Sequence, residues 1–275
     1  DYAATSNNTV SVGLNGRKDS MLTTGLDTKS VTSNSLFGQD QWRLGAMQLV
    51  GGIRFEHNGQ FGSKTTWRVA PSFTFGDTVL KCSYATGFKA PTMYELYAPQ
   101  NIGNPNFKPE TSKGWETGAE HRISENLKLG GSYFHTDYEN RIDWVNSTDT
   151  VHYPSWGYYD QVPGTTKTYG IETFAEWKPA DPLFVVANYT NLHTKDANGV
   201  ILQRRPENKF GLTANWKATS HLNLNSNLQW VGARRDTGAP GALLGSYCLV
   251  NIAALYKASD NVELFGRVDN LFAEN

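Results

Sequence analysis

The chain has 275 residues, and its 25 Lys and Arg against 26 Asp and Glu leave a formal charge of -1, which excludes a broad basic surface for nucleic acid. Apolar residues at 39% and aromatics at 12% exclude a disordered chain. A mean hydropathy of -0.50, with no run approaching the roughly 18 apolar residues of a spanning helix, excludes a bundle of membrane helices but not membrane strands, which need only about ten residues each.

Period-two alternation dominates the chain. In chain order it predicts strands over Val10–Leu14, Leu36–Leu44, Leu49–His57, Trp67–Phe75, Val79–Phe88, Trp115–Ile123 and Leu127–Tyr138. It then predicts Thr168–Trp177, Leu183–Asn191, Asn208–Lys217, His221–Trp230, Tyr247–Tyr256 and Val262–Asn270, about thirteen in all. Between Asn208 and Lys217, for example, Phe210, Leu212, Ala214 and Trp216 fall on one side and Lys209, Thr213 and Asn215 on the other. Pro71 lies inside the fourth strand, where it deletes a ladder donor.

The connections alternate in length. Gly45-Ala46, Gly76-Asp77, 124–126, 178–182, 217–220 and 257–261 are short, whereas 58–65, 89–114, 139–167, 192–207 and 232–246 are long. In an up-and-down sheet this collects the short turns at one end and the long loops at the other. Thirteen strands with aromatic apolar faces enclose a space too wide for side chains to fill, so the apolar row is expected to face lipid rather than a core. Trp67, Trp115, Trp177, Trp216 and Trp230 then lie near the membrane interfaces. The expected fold is an all-β, transmembrane antiparallel β-barrel. An odd count does not close, so the segment is read as part of a larger barrel.

Cys82 and Cys248 sit in apolar alternations, 166 positions apart, as expected of small apolar fillers. His57, His121, His135, His152, His193 and His221 show no metal-site spacing. No nucleophile–base arrangement or phosphate loop stands out, so no catalytic residue, metal or cofactor is expected.

The stretch Tyr84-Ala85-Thr86-Gly87-Phe88-Lys89-Ala90-Pro91-Thr92-Met93-Tyr94-Glu95-Leu96-Tyr97, the run from Gly103-Asn104-Pro105-Asn106 to Ser112, and Val268-Asp269-Asn270-Leu271-Phe272 together resemble the C-terminal part of TonB-dependent outer-membrane receptors. Ser112-Lys113-Gly114-Trp115-Glu116, Lys167 to Glu172 and Arg204-Arg205-Pro206 resemble the vitamin B12 receptor and its siderophore- and colicin-receptor relatives. The resemblance implies that residues 1–275 form roughly strands nine to twenty-one of a 22-stranded barrel in the outer membrane of a Gram-negative bacterium, with the N-terminal plug, first barrel strands and final strand outside this chain. It implies TonB-energised uptake of a ferric siderophore or cobalamin. The implied partners are outer-membrane lipid, the missing plug and barrel half, TonB with its inner-membrane energising proteins, and a bacteriocin or phage. A passive porin-like channel and an adhesive or structural barrel are the alternatives. A haem receptor is a third, disfavoured because no histidine lies between Phe88-Lys89-Ala90-Pro91 and Asn104-Pro105-Asn106-Phe107.

Physically, Gly87 is expected to supply backbone freedom where the strand ends, and Pro91 to fix the turn. Broad, rigid aromatic rings on the long-loop rim are the expected ligand contacts: Tyr94, Tyr97, Trp144, Tyr153, Trp156, Tyr158 and Tyr159. Arg234 and Arg235, beside Asp236, offer attraction for an anionic chelate, or a local ion pair. The polar face of the wall presents Arg54, Glu56, Arg68, Glu116, Glu120, Arg122, Glu172, Glu176, Arg267 and Asp269, expected to face a plug or a water-lined pore.

Overall fold

The computed structural model describes residues 2–22, 27–153, 157–236 and 242–274. Fourteen strands form one continuous antiparallel sheet: β1 (Tyr2–Thr5), β2 (Asn8–Met21), β3 (Lys29–Leu44), β4 (Met47–Asn58), β5 (Gly62–Phe75), β6 (Thr78–Lys89), then, after helix α1 (Met93–Tyr97), β7 (Glu110–Ser124) and β8 (Leu127–Glu139). The hairpin β9 (Ile142–Asn146) and β10 (Gly157–Gln161) stands apart as a separate two-stranded sheet. The main sheet resumes with β11 (Thr165–Ala180), β12 (Leu183–Lys195), β13 (Asn208–Lys217) and β14 (Leu222–Val231). A small pair, β15 (Arg234–Arg235) and β16 (Leu243–Leu244), precedes the last two sheet strands, β17 (Tyr247–Ser259) and β18 (Val262–Val268).

All thirteen expected strands are present in the main sheet; β1 adds a fourteenth. The expected 58–65 loop is instead a three-residue turn between β4 and β5. Asn58 makes it possible, because its buried Oδ1 accepts the main-chain N–H groups of Gln60 and Phe61, each at 3.0 Å, while its Nδ2 donates to Ser33 Oγ at 2.9 Å. Gly62 completes the turn with φ +72°. Pro71 stays inside β5, and the pairing with β6 skips Ala70 and Pro71 between Val69–Tyr84 and Ser72–Lys81.

The register separates two faces. Trp216 pairs with Leu224, Leu212 with Leu228 and Phe210 with Trp230, so the apolar side chains of β13 and β14 share one face. Leu222, Leu224, Leu228 and Trp230 are only partly buried, and no second protein layer covers them among the described residues. The Phe210–Trp230 and Trp216–Leu224 rows lie six residues apart, about 20 Å along the strand, comparable to the apolar band of a membrane barrel.

The opposite face is concave. One cavity of about 600 Å³ touches Arg68 of β5, Lys81 of β6, Glu116 of β7, Ser132 of β8, Glu172 of β11 and Thr190 of β12. Six flat strands would span roughly 24 Å, so a single cavity reaching all six requires the sheet to curl toward its polar side. The only buried apolar cluster among the described residues is not in the wall at all: Leu96, Phe107 and Ile142 come from the connections at the long-loop end.

Candidate functional site

Two parts of the molecule collect the candidate side chains: the rim of long loops and the polar inner wall beneath it. The rim is built on α1. Thr92 caps this short helix reciprocally, its Oγ1 accepting from Glu95 N at 3.2 Å while Glu95 Oε2 accepts from Thr92 N at 2.6 Å. The Thr92-x-x-Glu95 spacing was the sequence signal for a helix inside a stretch otherwise read as loop. Leu96 N donates to Thr92 O and Ala98 N to Tyr94 O, after which Asn104 N returns to Glu95 O at 2.9 Å. Asn104 Oδ1 accepts from Asn106 N at 3.0 Å, closing the Asn-Pro-Asn turn.

The helix does not stay above its own strands. It packs against β2 and β3, folding inward over the concave face and enclosing a cavity of about 750 Å³ that Arg17, Asp19, Arg54, Glu56, Met93 and Tyr94 help to line. Arg17 Nε bonds Asp19 Oδ1 at 2.8 Å and Arg54 Nη2 contacts Glu56 Oε2 at 3.1 Å. Arg17 and Asp19 escape pattern reading because both faces of β2 are polar at this height.

The second rim element is the β9–β10 hairpin. Tyr159 pairs with Trp144 and Tyr158 with Val145. The Tyr159 ring meets Tyr94 edge-on at 6.1 Å and Trp144 at 5.2 Å, and its main-chain N–H donates to Ile102 O at 2.9 Å. Beneath, Leu96 is 1% exposed, Phe107 4% and Ile142 8%, with Phe61, Tyr97 and Tyr159 packed around them. Tyr97 donates its hydroxyl to Gln60 Oε1 at 3.1 Å. Gln161 ties the elements together: its Oε1 accepts from Lys108 N at 3.1 Å, and its Nε2 donates to Lys108 O at 2.6 Å and Asn140 O at 3.0 Å. Burial, then the nearby Glu95 carboxylate and Tyr94, push the Tyr159 phenol above its usual pKa.

Four expected rim residues, Tyr94, Tyr97, Trp144 and Tyr159, are thus gathered into one assembly. Tyr153 and Tyr158 form a stacked pair at 4.1 Å. Trp156 lies outside the described residues. Arg234 and Arg235 belong to a different loop: Arg234 sits over the Tyr247 ring at 5.3 Å, while Asp236 accepts from Arg204 Nε at 2.7 Å.

Gly87 differs from expectation. It lies within β6 paired to Ser112, without a left-handed φ, and what an added Cβ would meet is the Ser112 hydroxyl. Gly103 makes the motif's tightest main-chain approach, since a Cβ there would lie 2.6 Å from Ala98 N and 2.9 Å from both Leu96 C and Tyr97 N.

On the wall, the register puts Arg54, Glu56, Arg68, Glu116, Glu120, Arg122, Glu172, Glu176 and Arg267 on the polar face. Glu120 joins Lys81 and, at 3.3 Å, Lys128, which also reaches Glu176 at 3.7 Å and lies 5.0 Å over the Phe174 ring. Lys81 and Lys128 were absent from the expected set. They share the inner face with Glu120, as cross-strand pairing requires. Among the described residues no group of three or more metal-ligating side chains comes together.

The family described as "TonB dependent receptor-like, beta-barrel" matches residues 1–271. The chain belongs to this family. It is 28% identical over 273 residues to the vitamin B12 transporter BtuB of Photobacterium profundum, covering 94% of this chain and 43% of that protein. It is 30% identical over 225 residues to BtuB of Vibrio vulnificus, covering 80% and 34%. A crystal structure of the ferric enterobactin receptor PfeA from Pseudomonas aeruginosa superposes with a TM-score of 0.78 at 23% identity, covering 96% of this chain and 46% of that one. The chain therefore spans less than half the length of these relatives. TonB-dependent receptor barrels reside in the outer membrane of Gram-negative bacteria, which sets the apolar face of this sheet against lipid and its polar face toward the barrel interior.

Proposed function

We propose that this chain forms the C-terminal part of the barrel of an outer-membrane receptor that takes up a ferric siderophore or cobalamin with energy supplied through TonB. The observation that carries the reading is the family match across residues 1–271. The inward-folded rim supports it: Tyr94, 49% exposed, presents its ring beside a cavity lined by Arg17 and Arg54, chemistry suited to an aromatic, anionic chelate. The B12-transporter relatives favour cobalamin and the enterobactin-receptor fold favours a catecholate, so both stand as candidate ligands.

In this reading the long loops capture the ligand, and the charged inner wall, with Arg68, Glu116, Glu120, Arg122, Glu172 and Glu176, holds a plug domain supplied by sequence outside this chain. Aimed into an enclosed lumen, these side chains form charge-assisted hydrogen bonds that keep a plug seated until it is pulled. The test is uptake of labelled ferric catecholate, cobalamin and haem by cells expressing the full-length protein, with and without TonB. Accumulation of one of the first two that disappears without TonB is expected. TonB-independent permeation, or steady conductance in planar bilayers, would replace this reading with a passive channel.

A further inference from the structure

The outward face carries an arrangement that uptake does not use. At the long-loop end, Trp115, His135, Tyr169 and His193 occupy neighbouring positions on β7, β8, β11 and β12. Their rings form a continuous row, with centroids 6.1, 6.0 and 5.4 Å apart in turn. Two residues nearer the loops, about 7 Å higher, the same register aligns Lys113, Asp137, Lys167 and Lys195.

This upper row is electrostatically unbalanced. Lys167 and Lys195 are direct cross-strand partners, an arrangement of like charges that destabilises a sheet unless an anion joins them. Asp137 stands between Lys113 and Lys167 but directs its Oδ1 to His135 Nε2 at 3.0 Å. Glu207 likewise faces His193 Nδ1 at 2.8 Å, and Glu139 lies one row closer to the loops. All three lysines are exposed, and none has a carboxylate within ion-pair distance among the described residues.

We infer that the Lys113–Lys167–Lys195 row, with the ring row below it, is a binding site for the phosphorylated headgroup of an outer-leaflet glycolipid. The occupant follows from position and charge. Aromatic rings on a lipid-facing barrel surface sit at the interface, so lysines a further 7 Å up sit among headgroups. The row spans about 14 Å across four strands, wide enough to grip two separated phosphates rather than one. The rings supply a flat surface for the sugars between phosphates and acyl chains. This site rests on the outer-membrane placement alone and requires neither a siderophore nor TonB.

The test uses full-length receptor purified in detergent, challenged with bis-phosphorylated lipid A and with the same lipid stripped of phosphate, and read by native mass spectrometry. Retention of the phosphorylated form at least tenfold above the stripped form is expected; equal retention overturns the site. Substituting Lys113→Gln, Lys167→Gln and Lys195→Gln together is expected to remove that preference, whereas Lys18→Gln, on the outward row of β2 and away from these four strands, leaves it intact. Should the triple variant not form a heat-modifiable barrel, the single Lys167→Gln is read instead, with a loss of at least threefold expected. Preference unchanged in a folded variant also overturns the site. Uptake is measured in the same variants: its loss on TonB deletion with lipid preference intact speaks only to the receptor reading.

Discussion

Replacing Leu96 with alanine separates the stability of the rim from that of the wall. Leu96 is 1% exposed and sits between Phe107 and Ile142, with Phe61, Tyr97 and Tyr159 around it. Truncating a leucine in such a site costs about 3 kcal/mol from lost transfer energy and residual cavity. The wall gains little from Leu96, since its fourteen strands are held by main-chain ladders and no buried apolar cluster among the described residues lies within it. The cost therefore falls on local opening of two segments, 90–109 and the β9–β10 strands at 142–146 and 157–161, and about 3 kcal/mol corresponds to roughly a hundredfold in the opening equilibrium. Hydrogen exchange followed by mass spectrometry on the full-length protein in detergent should show amides of these two segments exchanging roughly a hundredfold faster, with β11–β14 unchanged. Unchanged protection at the rim, or equal loss of protection in rim and wall, refutes the assignment of the rim as an independently packed unit.

Gly103→Ala forces a Cβ against the main chain of Leu96, Tyr97 and Ala98, so α1 must shift; ligand affinity should fall at least tenfold in isothermal titration while the barrel's heat modifiability is retained. A Tyr94→Ala, Tyr159→Ala cycle should reveal a ring coupling of about 1 kcal/mol in the rim's opening free energy, and strict additivity would contradict the edge-on contact. Asp149 is held below the usual carboxylate range by the His152 main-chain N–H and then by the His152 ring. A depressed carboxylate stabilises the folded turn above its unfolded pKa of roughly 3.9 and loses that contribution as pH falls through the lower folded value. The Val151 and His152 amides should therefore lose protection as the pH is lowered below about 4, and protection that is unchanged once the carboxylate is protonated counts against the contact. Glu120→Gln weakens the links to Lys81 and Lys128, and should change unfolding of the wall by no more than about 1 kcal/mol, because these side chains are only partly buried.

The wall was legible wherever one face meets lipid. Over β13 the expected and observed limits coincide at Asn208 and Lys217, because apolar and polar positions alternate along the whole strand. In β2 and β3 the signal fades above Leu14 and Leu36. Gly16, Lys18 and Ser20 continue the outward row of β2, yet they are small or polar, as expected where a strand rises past the membrane and both faces are wet. Period two then vanishes although the ladder runs on to the Met21–Lys29 pair. β1, four residues long, is too short to show a period. At the rim, residue type identified Tyr94, Tyr97, Trp144 and Tyr159, but their convergence depends on α1 crossing to β2 and β3, a tertiary contact that no local pattern encodes.

The rim's construction also explains how two loops far apart in sequence can respond as one. Tyr159 sits at the junction: its ring bridges Tyr94 and Trp144, its main chain holds Ile102, and its neighbour Gln161 holds both Lys108 and Asn140. Tyr94 is the exposed member of this set, on a helix whose inner side is anchored by buried Leu96. A ligand that displaces the Tyr94 ring must either break its contact with Tyr159 or carry the hairpin with it. Breaking it sacrifices aromatic contact, about 1 kcal/mol, whereas moving the two together preserves the Leu96–Phe107–Ile142 packing, which is worth several times more. Joint movement is therefore the less costly response, and a ligand seated on Tyr94 would carry the two loops as a pair.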